Sequence, residues 1–233
     1  MRKTSIIPAL IFLCILGCQE SQPKYGVEAH LEVKGERRQI WAVAPAVNLS
    51  GQHAVEAILQ ADIVFSQLQQ IDNLTVIPVN RVVEVFASLR IDQVQSPEQA
   101  ALVCDLLGCD ALVVPTVTFY DPYVPPKFGA SLQLFGKPGW YIRPGNVDPR
   151  ELARRASPPP GESVPQADFL QAVGMFDAAN GSTRDALYFY ASGRHDPIGP
   201  LGAKEYVVSM DRFCGFAWFN LARDLIDQLD KRK

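Results

Sequence analysis

Ile40-Trp41-Ala42-Val43-Ala44, broken by Asn48-Leu49-Ser50-Gly51-Gln52 and followed by Ile58, Ala61, Phe65 and Leu68, is the stretch on which the fold turns. A continuous apolar run suits a strand buried on both faces. The spacing by threes and fours that follows gives a helix one apolar face, ending near Ile71-Asp72-Asn73. Leu74 to Val79 reads as a second strand, and Asn80 as the cap of a helix carrying Val82, Val85, Phe86 and Leu89 on one side. Short apolar runs alternating with amphipathic helices signal βαβ crossovers.

Further along, Ser96-Pro97-Glu98-Gln99 opens a helix as a capping box with proline at its first position, and Gly108 is its left-handed stop. Ala111 to Phe119 makes a third, longer strand, in which Pro115 argues for an edge or a bulge. After the turn-rich Asp121 to Pro126, Ser131-Leu132-Gln133-Leu134-Phe135 alternates as an antiparallel strand with one wet face does. Phe169 to Phe176 and Ala186 to Ala191 read as two more strands joined through Asn180-Gly181, a pair that supplies positive φ angles. A closing helix carries Phe213, Ala217, Leu221 and Leu225, with Cys214, Trp218 and Leu229 beside them. The expected class is α/β: a three-layer or two-layer mixed sheet with βαβ crossovers, then an antiparallel meander and a C-terminal helix.

At the amino terminus, Arg2 and Lys3 precede an apolar run from Ile6 that ends in Ile15-Leu16-Gly17-Cys18. This is the pattern of a secretory signal, and the run is shorter than the roughly 20 residues of a membrane-spanning helix. A cysteine directly after the cut is what lipoprotein export needs, because its thiolate accepts a diacylglyceryl group. The expected organisation is therefore a lipoprotein signal peptide over 1–17, a lipid-bearing Cys18, a tether over 18–37, and one domain over 38–233 with a proline-rich insertion at 136–167. Asp148 to Ala156 offers that insertion one short helix. Gln19-Glu20 lacks the aspartate of inner-membrane retention, which favours the periplasmic side of the outer membrane.

The formal charge is −3, with 22 basic and 25 acidic side chains and no basic block beyond the two ends, so nucleic acid is not an expected partner. Of the five cysteines, Cys14 leaves with the signal and Cys18 takes lipid. Cys104, Cys109 and Cys214 remain; one disulfide is open to an exported chain, and buried free thiols are the simpler reading. His30, His53 and His195 stand too far apart in sequence to make a metal-ligand spacing with them.

Three strings carry a resemblance: Trp41 to Gly51 (WAVAPAVNLSG), Leu107 to Val114 (LGCDALVV) and Phe176 to Gly181 (FDAANG). They resemble the first strand with its Asn-x-Ser-Gly loop, the "LGxDxxVxG" strand entry and the "VDxxTG" hairpin of the CsgG-like and TolB amino-terminal family of bacterial envelope domains. Pro115 replaces a glycine and Asn180 a threonine. The resemblance spans about Gln39 to Phe135 and Asp168 to Leu229. It implies an envelope α/β domain, often on an outer-membrane lipoprotein, in roles that include secretion-channel subunits, activators of cell-wall synthases and scaffolds.

No phosphate-binding loop stands at Asn48 to Gln52, which has one glycine and no lysine, and no Gly-x-Ser-x-Gly elbow occurs. Asn48 and Ser50 read as turn and cap residues; Asp105, Asp110, Asp224 and Asp227 read as solvated carboxylates. Neither a cofactor nor a nucleotide is expected. The candidate binding surface is aromatic: Tyr120 and Tyr123 on a proline-stiffened loop, with Trp140 and Tyr141 further on. The expected function is that of a non-enzymatic outer-membrane lipoprotein whose domain binds an envelope protein or copies of itself. The alternatives are a subunit of an oligomeric secretion channel, for which Gly129 to Phe135 looks short, and a carbohydrate-binding or hydrolytic domain. Cys18→Ala should abolish labelled-lipid incorporation, because several acyl chains at ~0.8 kcal/mol per buried CH₂ anchor stably; undiminished labelling would remove the lipoprotein assignment.

Overall fold

The structure, a computed structural model, describes residues 31–137 other than 36 and residues 169–232 other than 197. A six-stranded mixed sheet is its centre. β1 (Gln39–Val43) pairs in parallel with β3 (Leu74–Ile77) on one side and with β4 (Ala111–Asp121) on the other. A two-residue β2 (Val47–Asn48) continues beside the second half of β4. Then the sheet turns antiparallel, through β5 (Lys127–Gly136) to β6 (Phe169–Asp177) at the edge. The helices are α1 (Ala57–Leu68), α2 (Val79–Leu89), α3 (Pro97–Leu107), α4 (Gly181–Ala191), the short α5 (Glu205–Val208) and the long α6 (Met210–Arg232).

β1 shows why a continuous apolar run was needed. Trp41 and Val43 face a core formed with α1 and α6, whereas Ala42 and Ala44 face a second core under α2 and α3. Alternate side chains from Trp41 to Ala44 enter opposite layers and are all apolar, while the buried Gln39 at the start of the strand accepts from the Trp41 indole N–H at 2.9 Å. On α6, Phe213, Cys214, Ala217, Trp218, Leu221, Leu225 and Leu229 are all buried against the sheet, as the four-residue spacing implied. Gly174 of β6 lies under this helix, and a Cβ there would meet the Phe176 ring at 2.8 Å and Leu221 at 3.2 Å. Two pairs of buried polar groups lie inside this layer: the Trp218 indole N–H donates to Gln60 Oε1 at 2.9 Å, and the Tyr190 hydroxyl donates to Gln67 Oε1 at 2.8 Å.

Several local expectations are corrected. Ala186 to Ala191 is not a strand, and Asn180-Gly181 is not a hairpin turn: Asn180 caps α4, its Oδ1 accepting from the Ser182 amide at 3.0 Å. Leu187, Tyr190 and Ala191 then bury together at helical spacing. Val79, not Asn80, begins α2, with Pro78 at the cap position; the Asn80 side chain accepts from the Arg81 amide instead. In α3 the Ser96 hydroxyl accepts from Gln99 N at 3.3 Å, but Gln99 reaches one residue further back than a capping box would, to the amide of Gln95. β5 is drier than its alternation suggests, since Ser131 is buried between the flanking strands.

The strand does carry a bulge, between Val117 and Phe119, but Pro115 itself lies before it and not at a sheet edge. β1 ends its register at Val43↔Val113, β2 starts at Val47↔Thr116, and Pro115 falls in the interval while pairing with Leu132 across β5. A residue without an N–H is tolerated where the neighbouring strand is interrupted. The folded part also begins before residue 38. Val33 is fully buried, and its amide donates to the Asp72 carbonyl at 3.1 Å while Asp72 N donates to the Leu31 carbonyl at 2.8 Å. Of the insertion, only Gly136 and Lys137 are among the described residues; its remainder, including the expected short helix, lies outside them, as do residues 1–30.

Trp218→Ala should lower stability by about 3–5 kcal/mol, because it empties the largest side chain of α6 from the core and removes the indole donor from Gln60 Oε1. Urea unfolding measures it, and a loss below about 1 kcal/mol would contradict this packing.

Candidate functional site

The sheet is covered unequally. On one face α1 and α6 run over all five main strands' core positions. On the other, α2 and α3 cover β1, β3 and the first part of β4, with Phe135 at the margin. Among the described residues, no helix lies over the outer face of β6 and the distal halves of β4 and β5.

A β-bulge decides what this bare face presents. The β4–β5 register shifts between Val117 and Phe119, which inserts one residue and reverses the alternation beyond it. Val117 points into the α6 core, yet two residues on Phe119 points outward and Tyr120 inward. Phe119 pairs with Gly129, which pairs with Met175; a Cβ on Gly129 would meet Phe119 at 2.9 Å and the Met175 sulfur at 3.1 Å. The bare glycine thus lets the two side chains close over it. Val173, opposite Ser131, extends the patch along β6. Phe119, Val173 and Met175 are 44%, 68% and 57% exposed. The patch runs to the hairpin tip, where Tyr123 and Val124 stand out at 83% and 61%, and is closed by the Lys127–Asp177 ion pair at 3.2 Å.

The same strand is an edge. β6 has β5 on one side and no strand on the other among the described residues, and FLQAVGMF, from Phe169 to Phe176, has no charge or proline to blunt that edge.

Of the four aromatic residues expected to form the binding surface, Tyr120 and Tyr123 are among the described residues, and they face different surroundings. Tyr120 is half-buried, its ring edge-on to Phe128 with centroids 6.3 Å apart, and burial pushes its hydroxyl pKa up to about 12. It braces the hairpin from inside. Tyr123 is exposed, its amide held by Asp121 Oδ1 at 3.2 Å. Trp140, Tyr141 and Cys18 lie outside the described residues. Phe119, Val173 and Met175 were not singled out from the sequence. Their signal was present in β6, where apolar residues occupy both parities of an edge strand.

Asp110, expected to be solvated, is structural: its carboxylate accepts from the Ile40 amide at 2.9 Å and pairs with Arg37. Asn48 and Ser50 serve the turn only. Asn48 Oδ1 accepts from the amide and hydroxyl of Ser50, whereas α1 begins at Ala57 after an N-cap without side-chain bonds. A cleft of about 280 Å³ is bordered by Gln67, Tyr190, Tyr206, Asp211 and Arg212. Its groups serve one another: the Tyr190 hydroxyl donates to Gln67, and the Arg212 guanidinium lies over the Tyr206 ring at 5.6 Å.

No protein-family model matches the chain, and no curated protein does. Solved structures similar to it include the LpoB C-terminal domain from Salmonella enterica, with 13% identity over 43% of this chain and 73% of that one at a TM-score of 0.35. Lipoprotein GNA1162 from Neisseria meningitidis gives 16% identity, 61% and 84% coverage and a TM-score of 0.38. The PelC dodecamer from Paraburkholderia phytofirmans gives 9%, 82% and 92%, and 0.37.

Tyr120→Ala should cost about 2–4 kcal/mol by emptying a core position, while Tyr123→Ala should stay within about 0.5 kcal/mol. Chemical denaturation of the two variants reads the difference; equal losses would show that Tyr120 is not part of the core.

Proposed function

We propose that this chain is a non-enzymatic bacterial envelope lipoprotein, held at the outer membrane by lipid on Cys18, whose domain binds an envelope protein through the bare face and free edge of β6. The observation that carries this is the continuity of Phe119, Met175 and Val173 with an uncharged edge strand that, among the described residues, pairs with no further strand and has only its Gln171 carbonyl taken, by Gln228 Nε2 at 3.0 Å. The edge offers main-chain N–H and C=O groups to an added strand, and the apolar patch beside it offers burial for that strand's alternate side chains. The partner that fits is an extended protein segment with apolar residues at every second position. Such a face left in water is an association liability, and a bound partner removes it.

The channel reading is supported by strand length. β4 and β5 have 11 and 10 residues, longer than their sequence pattern suggested and within the roughly 9 to 11 that a membrane barrel uses. Against it, the inward side of both strands is occupied by the core under α6, including Phe128, Leu132 and Leu134.

Particle mass after detergent solubilisation tests the proposal, comparing the native chain with Val173→Lys/Met175→Lys. The native particle should contain a second, different polypeptide. The variant should lose it at least tenfold with an unchanged melting temperature, since both positions are exposed. A variant that keeps its partner would reject this surface, and a native particle built of copies of this chain alone would move the assignment to self-assembly.

A further inference from the structure

Cys104 and Cys109 meet where α3 passes into β4. α3 ends in a Schellman arrangement: the Cys109 amide donates to the Cys104 carbonyl at 3.0 Å, the Gly108 amide donates to the Asp105 carbonyl at 3.3 Å, and Gly108 has φ 68°. The side chains that flank the outer of these two bonds commonly form a hydrophobic contact. Here both are cysteines. The N–Cα bond of Cys109, the 3.0 Å hydrogen bond and the roughly 2.4 Å from the Cys104 Cα to its own carbonyl oxygen limit the Cα–Cα separation to at most roughly 6.9 Å, and disulfides use about 4.4–6.8 Å. The two thiols lie close enough to act on each other, the neighbouring Cys109 helping to push the Cys104 thiol pKa up. Both are buried in the layer formed by Ala42, Val82, Phe86 and Leu112, an apolar setting that accepts a disulfide as readily as two thiols. Cys214 belongs to the core on the opposite face of the sheet.

We propose that Cys104 and Cys109 form an oxidation site that closes to an intrachain disulfide, tying the last turn of α3 to the entry of β4 and leaving Cys214 as a thiol. The oxidant is a disulfide, small or protein-borne. One cysteine thiolate attacks a sulfur of that disulfide and releases one thiol, which carries away the cysteine's proton. The second cysteine then attacks the mixed disulfide, loses its own proton and releases the second thiol. Two cysteine thiols are oxidised and one external disulfide is reduced, so electrons and protons balance. Because the folded layer seals both sulfurs, the exchange belongs to the folding chain. Once α2 and α3 close over the bond, reductants are kept away from it. The oxidising compartment rests on the export reading of residues 1–18; the pairing does not.

The test uses the mature chain carrying Cys18→Ala, so its outcome is independent of lipid attachment. The chain is unfolded, refolded with oxidised and reduced glutathione, and alkylated in denaturant. Peptide mapping should show an adduct on Cys214 and a linked Cys104–Cys109 pair about 2 Da below the dithiol form. Reduction should then lower the melting temperature by several degrees, and this shift should vanish in Cys104→Ala/Cys109→Ala and persist in Cys214→Ser. Adducts on both Cys104 and Cys109 after oxidative refolding, or a bond from either to Cys214, would overturn the proposal.

Discussion

Asp110 holds the two halves of the sheet in register. Its amide donates to the Ile40 carbonyl at 2.7 Å, one carboxylate oxygen accepts from the Ile40 amide, and the other pairs with Arg37. The backbone of β1 is thereby fastened to the first residue before β4. β4 is the strand both halves share, parallel to β1 on one side and antiparallel to β5 on the other. Every later register follows from where it starts. The left-handed Gly108 aims α3 at this point, and the Lys137 ammonium, 2.8 Å from Asp105, ties the far end of β5 back to the same helix terminus. Charge-assisted hydrogen bonds of this kind are stronger than neutral ones when partly buried, which explains a carboxylate at a junction otherwise made of Ala, Leu and Val.

From that start, β4 accommodates two irregularities that shape the surface. Pro115 occupies the interval where β1 has ended and β2 has not begun, so its missing donor breaks no ladder position with either. The bulge just beyond it reverses the outward and inward positions. Tyr120 therefore packs on Phe128, and Phe119 lies out over Gly129 beside Met175. A strand without the bulge would present Tyr120 and bury Phe119. The bulge thus joins the core-facing demands of α6 to an outward apolar patch.

The layer under α6 is specified by more than apolar area. Gln60 and Gln67 of α1 are buried, and each meets a single aromatic donor on a helix distant in sequence, Trp218 and Tyr190. A buried amide left unpaired is costly, so these pairs fix how α1, α4 and α6 seat against one another. Edge-to-face contacts of Phe128 with Trp218 and of Phe176 with Phe216 complete the layer.

The strands of the βαβ half, the stop at Gly108 and the buried stripe of α6 were legible in the sequence because each depends on local periodicity or on one residue's backbone preference. Apolar residues at both parities mark β1, and four-residue steps mark α6, whatever surrounds them. The Ala186 to Ala191 stretch misled because bulky aromatic residues suit strands, while the capping oxygen of Asn180 made the helix. Tyr120 and Phe119 could not be told apart by pattern, since the inward direction beyond Val117 depends on a register shift against a strand that lies after the turn. Likewise Cys104 and Cys109 read as two separate thiols until the helix terminus folded one over the other. Local sequence determined which segments became helices and strands; pairing between distant strands decided which of their side chains met water, because a one-residue shift exchanges the two faces of a strand.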